Sequence, residues 1–184
     1  MARTPSNMVD LGSIAPNFNL INTVDDKFIS SDNYFSKKGT LIMFICNHCP
    51  FVVHVKDEIV KIANEYQKKG FGFVAINSND ILKYPEDSPY NMLKYAVKFK
   101  FSFPYLFDET QKIAKAYGAS CTPDFFLFDK NLELVYRGQL DDSRPANKKP
   151  VTGKDLRTAL DRLIIGLAQK KEQKPSIGCN IKWK

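Results

Sequence analysis

The stretch GTLIMFICNHCP (39–50) restricts the fold more than any other part of the chain. A glycine opens a compact apolar run, which reads as a buried central strand, and the run breaks off at Cys46-Asn47-His48-Cys49-Pro50. Proline is favoured at the first position of a helix, where its missing N–H would have had no intrahelical partner. From Val52 the apolar residues Val52, Val55, Ile59, Ile62, Ala63 and Tyr66 recur at helical spacing, and Gly70 after two lysines marks the stop. These residues predict a strand that runs through a cysteine directly into an amphipathic helix.

The flanking patterns extend this unit. IAPNFNLINTVDDKFISSDNYF (14–35) places short apolar stretches on either side of VDDK and predicts a hairpin ahead of the main domain. FGFVAINSND (71–80) predicts a second strand, and YNMLKYAVKF (90–99) and ETQKIAKAYG (109–118) predict helices separated by the extended FSFPYLF (101–107). DFFLFD and LELVYRG, bracketing Lys130 and Asn131, predict a second hairpin, and GKDLRTALDRLIIGLA (153–168) a last amphipathic helix. The order ββ, βαβ, αα, ββ, α describes an α/β domain with a mixed sheet. Two further stretches are placed to cover a site: the polar loop DDSRPANKKPVT (141–152) and the ending KPSIGCNIKWK (174–184), which carries a cysteine and the sole tryptophan.

A chain of 184 residues suits one domain, with a core over about 12–168 and a tail from 169 to 184. No apolar run approaches the ~18 residues that cross a bilayer, so no membrane is expected as a partner. The start, MARTPSNMVDLGS, has no apolar segment of a secretory signal, which makes a cytoplasmic location the expectation. Net charge is +7, but the lysines are scattered or in short tail clusters such as AQKKEQK (168–174) and form no aromatic-interleaved basic stripe, so nucleic acid is not expected either. Four cysteines are too few for a disulfide scaffold, and in a reducing compartment they point to catalysis, metal binding or packing.

Cys49 stands at or next to the N-cap of the predicted helix. There a thiol faces unpaired N–H groups and the positive end of the helix dipole, which favour its anion. Thiols so placed ionise at pKa values of roughly 3.5–7.5 and become nucleophiles at neutral pH. His48 adds positive charge when protonated. Cys46 ends the strand and serves equally well as core or as partner. Joining it to Cys49 requires Cα atoms about 4.4–6.8 Å apart, so the Asn47-His48 pair has to turn. Cys46, His48 and Cys49, with His54 and Cys121, also offer soft and borderline metal ligands, although their spacing matches no zinc ribbon or finger.

LIMFICNHCPFVVHVKDEIVKIANEY, TPDFFLFD and LVYRGQ resemble the thioredoxin-fold superfamily, in its peroxiredoxin-like branch related to thiol-specific antioxidant proteins, over about residues 12–168. The resemblance implies a thioredoxin-like three-layer sandwich, a mixed central sheet flanked by helices, with the N-terminal β-hairpin as an extension. It maps the reactive thiol onto Cys49 and implies a cis Thr122-Pro123 bond facing it. It also shows departures. Val52 occupies the place of the second cysteine of the family's pair, so Cys46 and Cys49 lie one turn early. Met43 stands where thioredoxins bury an acid, and the peroxiredoxin PxxxTxxC segment is missing.

The function expected is that of a thiol-dependent oxidoreductase, by thiol-disulfide exchange or a peroxiredoxin-like antioxidant reaction, with Cys49 as nucleophile. A second thiol resolves the product. Cys121, two residues before Pro123, ranks first for this role on the resemblance, ahead of Cys179 on the tail and Cys46. Thr122, Pro123, His48 and Pro50 are the expected substrate-binding residues, the Pro123 loop offering exposed backbone to an extended peptide. The partners are a protein or small-molecule disulfide or a peroxide, and a dithiol electron donor, with a second copy of the chain in a homodimer also admitted. No cofactor and no metal is expected. The competing readings are a metal-binding module through Cys46, His48 and Cys49, and a non-catalytic interaction protein on the same scaffold.

Overall fold

Side-chain alternation along one central strand divides the core of this protein into two layers in a computed structural model that describes residues 3–184. On β4 (Thr40–Phe44), Leu41 and Met43 pack into one apolar cluster and Ile42 and Phe44 into another, as the two-residue period of a strand requires. Around β4 the main sheet runs in the order β3 (Phe28–Ser30), β2 (Asn19–Asn22), β6 (Tyr105–Phe107), β5 (Gly72–Asn77), β4, β8 (Asp124–Phe128), β9 (Leu134–Arg137). Its centre is parallel, β4 with β5 and β5 with β6, and its flanks are antiparallel. The expected mixed sheet forms, and β2 and β3 are the N-terminal hairpin, attached to β6.

One face carries α2 (Pro50–Gln67), α3 (Pro89–Lys98) and α5 (Lys154–Ile164), whose Val52, Val55, Ile59, Met92, Ala96, Leu156 and Leu160 share a cluster with Leu41, Met43, Phe125 and Leu127. The other is closed by α4 (Lys112–Ala116), the N-terminal segment through Ala15 and Phe18, and Tyr34 of α1 (Ser31–Tyr34). Phe44, Tyr117 and Phe126 meet there edge to face or tilted, with centroids 5.6–6.1 Å apart. This is the expected three-layer sandwich.

Two helices are shorter than their patterns. α4 covers only Lys112–Ala116 because Gln111 sits at φ +62° and spends its side chain on the carbonyls of Ser78 and Lys182. α5 stops at Ile164, where Gly166 turns left-handed at φ +69°. The 141–152 loop is organised around the Asp141 carboxylate, which accepts from the N–H groups of Ser143, Thr152 and Gly153. The tail, whose composition places it over a site, forms β10 (Ile177–Asn180), antiparallel to both β1 (Arg3–Pro5) and β7 (Cys121–Thr122) in a second, three-stranded sheet.

Candidate active site

The β4–α2 connection places Cys49 at the helix N-terminus, where the residues predict it. Cys49 is the N-cap of α2 with extended φ/ψ of −70° and 121°, Pro50 is its first helical residue, and the Cys49 carbonyl accepts from Val53 N–H at 2.9 Å. Cys49 is fully buried, as are Cys46, Cys121 and Cys179, and no disulfide joins them. The Thr122-Pro123 peptide bond is cis, and β7 brings Thr122 over the turn. Thr122 Oγ1 lies 3.3 Å from Cys46 Sγ, and in the thiol form Cys49 Sγ donates to the Thr122 carbonyl at 3.1 Å.

Cys49 is acidic because of its neighbours. The Cys46 thiol donates to its sulfur and contributes most; burial opposes ionisation, and the Cys179 thiol, the Thr122 hydroxyl and the Val52 N–H add to the anion's support. Together they hold the Cys49 pKa down to about 5. The helix end gives the smallest share, since the Val52 amide of the first turn of α2 is the least of these donors. The donors move the opposite way. Cys46 is pushed well upward by its bond to Cys49, then by burial and by the charge of Asp87, and Cys179 to about 12 by burial and then by its bond to Cys49.

Cys121 does not join them. Strand alternation turns its side chain away from the face that Thr122 presents to Cys46 and Cys49, its Sγ contacts the Pro123 carbonyl at 3.6 Å, and burial and the nearby Asp124 drive its pKa upward. Cys46, Cys49 and Cys179 share one apolar cluster that lacks Cys121. The resolving role expected first of Cys121 therefore has no geometry to support it. The substrate-facing backbone expected at Pro123 is likewise taken, since β10 pairs with β7 through Cys179–Thr122 and Asn180–Cys121. His54, expected at the surface, is half-buried, while Pro50 is exposed.

An acid missed by sequence reasoning completes the site. Asp87, at the end of a 3₁₀ turn (Pro85–Asp87), is fully buried, and its carboxylate lies 2.7 Å from His48 Nδ1. It accepts from Asn47 N–H and from Asn79 Nδ2, each at 2.7 Å. Burial resists its ionisation, but these donors outweigh it and hold the carboxyl below its ordinary range. Asp87 in turn raises the His48 pKa, and the His48 ring stacks on Tyr84 at 5.3 Å and 7°. A sulfur of Cys46, a nitrogen of His48 and an oxygen of Asp87 lie within 4.8 Å of one another, so the donor set gathered here contains Asp87 in place of the expected Cys49. Nothing in the spacing of PEDSP announces this role, because the contact spans forty residues of chain.

Comparison with known proteins agrees with the fold and the chemistry. The sequence profile described as Redoxin matches residues 10–156. The thiol-disulfide oxidoreductase ResA of Geobacillus thermodenitrificans is 29% identical over 131 residues, 70% of this chain and 68% of that protein. An uncharacterized conserved protein of Geobacillus kaustophilus, known from its crystal structure, is 58% identical and superposes with a TM-score of 0.98 over 100% of this chain and 97% of its own. The thioredoxin domain of a thiol-disulfide oxidoreductase of Bacteroides vulgatus, at 17% identity, shares the fold with a TM-score of 0.66 over 85% of this chain and 99% of its own.

Proposed function

The chain belongs to the redoxin family, and from that premise we propose that it is a thiol-disulfide oxidoreductase in which Cys49 is the nucleophile and Cys46 the resolving thiol. One observation carries this reading: a single sulfur at a strand–helix junction is held ionised near neutral pH by two other thiols that donate hydrogen bonds to it.

The Cys49 thiolate attacks one sulfur of a substrate disulfide, forms a mixed disulfide and expels the other sulfur as a thiolate. His48, whose pKa Asp87 raises, stands next in sequence to give that leaving sulfur its proton. Formation of the mixed disulfide removes the charge on Cys49, and with it the chief cause that keeps Cys46 protonated. Cys46 then loses its proton, attacks Cys49 and releases the second substrate thiol. The substrate disulfide has become two thiols and the Cys46–Cys49 pair a disulfide, which a dithiol donor returns to the reduced state. Burial, the chief restraint on Cys179, does not change in that step, which favours Cys46 over Cys179. A cytoplasmic setting, where dithiol donors are maintained, accompanies this reading.

Mild oxidation with one equivalent of a disulfide followed by mass mapping tests it. The expected product is a Cys46–Cys49 link in the wild type and none in Cys49→Ser. A Cys49–Cys179 link would transfer the resolving role, and the absence of any link to Cys49 would overturn the proposal. A second reading, cation binding, is favoured by the proximity of Cys46, His48 and Asp87. Stoichiometric zinc in the purified protein, lost in Asp87→Asn, would support it.

A further inference from the structure

β7 leads into Pro123 beside the reactive sulfur, and its edge is where an extended polypeptide would pair to bring its own sulfur to Cys49. That edge is filled by the chain itself. β10 lies between β7 and β1 with both edges paired, Cys179 opposite Thr122 on one side and Arg3 on the other. Its backbone sits so close that a Cβ on Gly178 would stand 1.9 Å from the Thr122 carbonyl oxygen and 2.5 Å from its carbon, so any side chain there would lift the strand. The next residue presents the Cys179 thiol to Cys49, as a bound substrate would present a cysteine.

Both ends of the strand are fastened. Ser176 Oγ donates to the Pro123 carbonyl at 2.6 Å, Gln139 N–H to Lys174 at 2.9 Å, Ile181 N–H to Ser120 at 3.1 Å, and Lys182 N–H to Asn79 Oδ1 at 2.8 Å. The residues that join Cys46 to Cys49, Asn47 and His48, are half-buried and lie outside any strand or helix. We propose that β10 is the specificity element of the site: it holds the place of a substrate polypeptide and confines Cys49 to low-molecular-weight disulfides that reach it across the Asn47–His48 turn. The inference rests on the reading of Cys49 as nucleophile and adds a substrate class to it.

The test compares single-turnover oxidation of the reduced, full-length protein by bis(2-hydroxyethyl) disulfide and by insulin. A protein disulfide has to displace several ladder hydrogen bonds, so the wild type is expected to favour the small disulfide by about a hundredfold or more per reacting bond. Gly178→Val, which cannot seat β10, should lower that preference at least about tenfold. Equal rates in the wild type would overturn the inference, as would an unchanged preference in Gly178→Val with native circular dichroism. Should that variant fail to fold, the wild-type ratio decides by itself. A Cys49→Ser protein that still reacted with the small disulfide would refute the nucleophile reading instead, a result distinct from either outcome for β10.

Discussion

Two thiols, one hydroxyl and one amide share the single charge on Cys49, and the largest share comes from Cys46. A hydrogen bond to a charged group is worth about 1.5–3 kcal/mol, and each pKa unit corresponds to about 1.4 kcal/mol. Cys46→Ala is therefore expected to raise the midpoint of Cys49 alkylation by about one to two pH units from its wild-type value near 5. The direction follows because the lost donor stabilises only the anion. Alkylation followed against pH by mass spectrometry measures it, and an unmoved midpoint would show that the helix end governs acidity after all. The position of Cys49 was legible from the strand-Cys-Pro-helix pattern alone. The source of its acidity was not, since Cys179 and Thr122 reach it across more than seventy residues of sequence, and local patterning carries no record of such contacts.

Elements far apart in the chain meet at this junction, and two of them yield measurable consequences. The 3₁₀ turn docks on the β4–α2 connection through Asp87, which binds His48, Asn47 and Asn79 at once. Asp87→Asn removes the group that chiefly raises the His48 pKa, so His48 is expected to titrate at lower pH, as NMR of its ring protons would register. If exchange uses His48 as the acid, the alkaline limb of its pH–rate profile shifts down with it. The tail segment makes the second case. Ile181, immediately after β10, is buried in the cluster with Ala114, Tyr117 and Phe126, so Ile181→Ala should cost about 2–5 kcal/mol in a denaturant melt. A tail merely resting on the surface would lose less than about 0.5 kcal/mol. Periodicity revealed α2 and the hairpins because their faces are buried along one element, whereas β10 is four residues long and gains its burial from β1 and β7 at distant points in the chain.

The whole molecule links this site to its own stability through protons. Cys49 titrates at about 5 in the folded protein and, once unfolded, near an ordinary thiol value of 9.0. Between those limits the unfolded chain binds the extra proton, so the contribution of Cys49 to stability rises with pH across that window, against the opposite trend of Asp124, whose carboxyl burial pushes up to about 7, and of His48, which Asp87 raises. The contribution of Cys49 is complete above about 9 and vanishes as pH falls through 5. Cys46 and Cys179 are displaced upward, so above about 9 the unfolded chain sheds protons the folded one retains, and stability turns down again. Carboxylates held below their ordinary range, Asp87 and Asp141 among them, act only at lower pH, which separates their effect from that of the thiol. Cys49→Ser should remove the thiol's rising share between pH 5 and 9, so that wild type minus variant grows with pH across that window, while the falling share of Asp124 and His48 and the acid limb stay in place. Urea denaturation at half-unit pH steps measures both curves, and if the two ran parallel through that window, the thiolate would contribute nothing to holding the folded chain together.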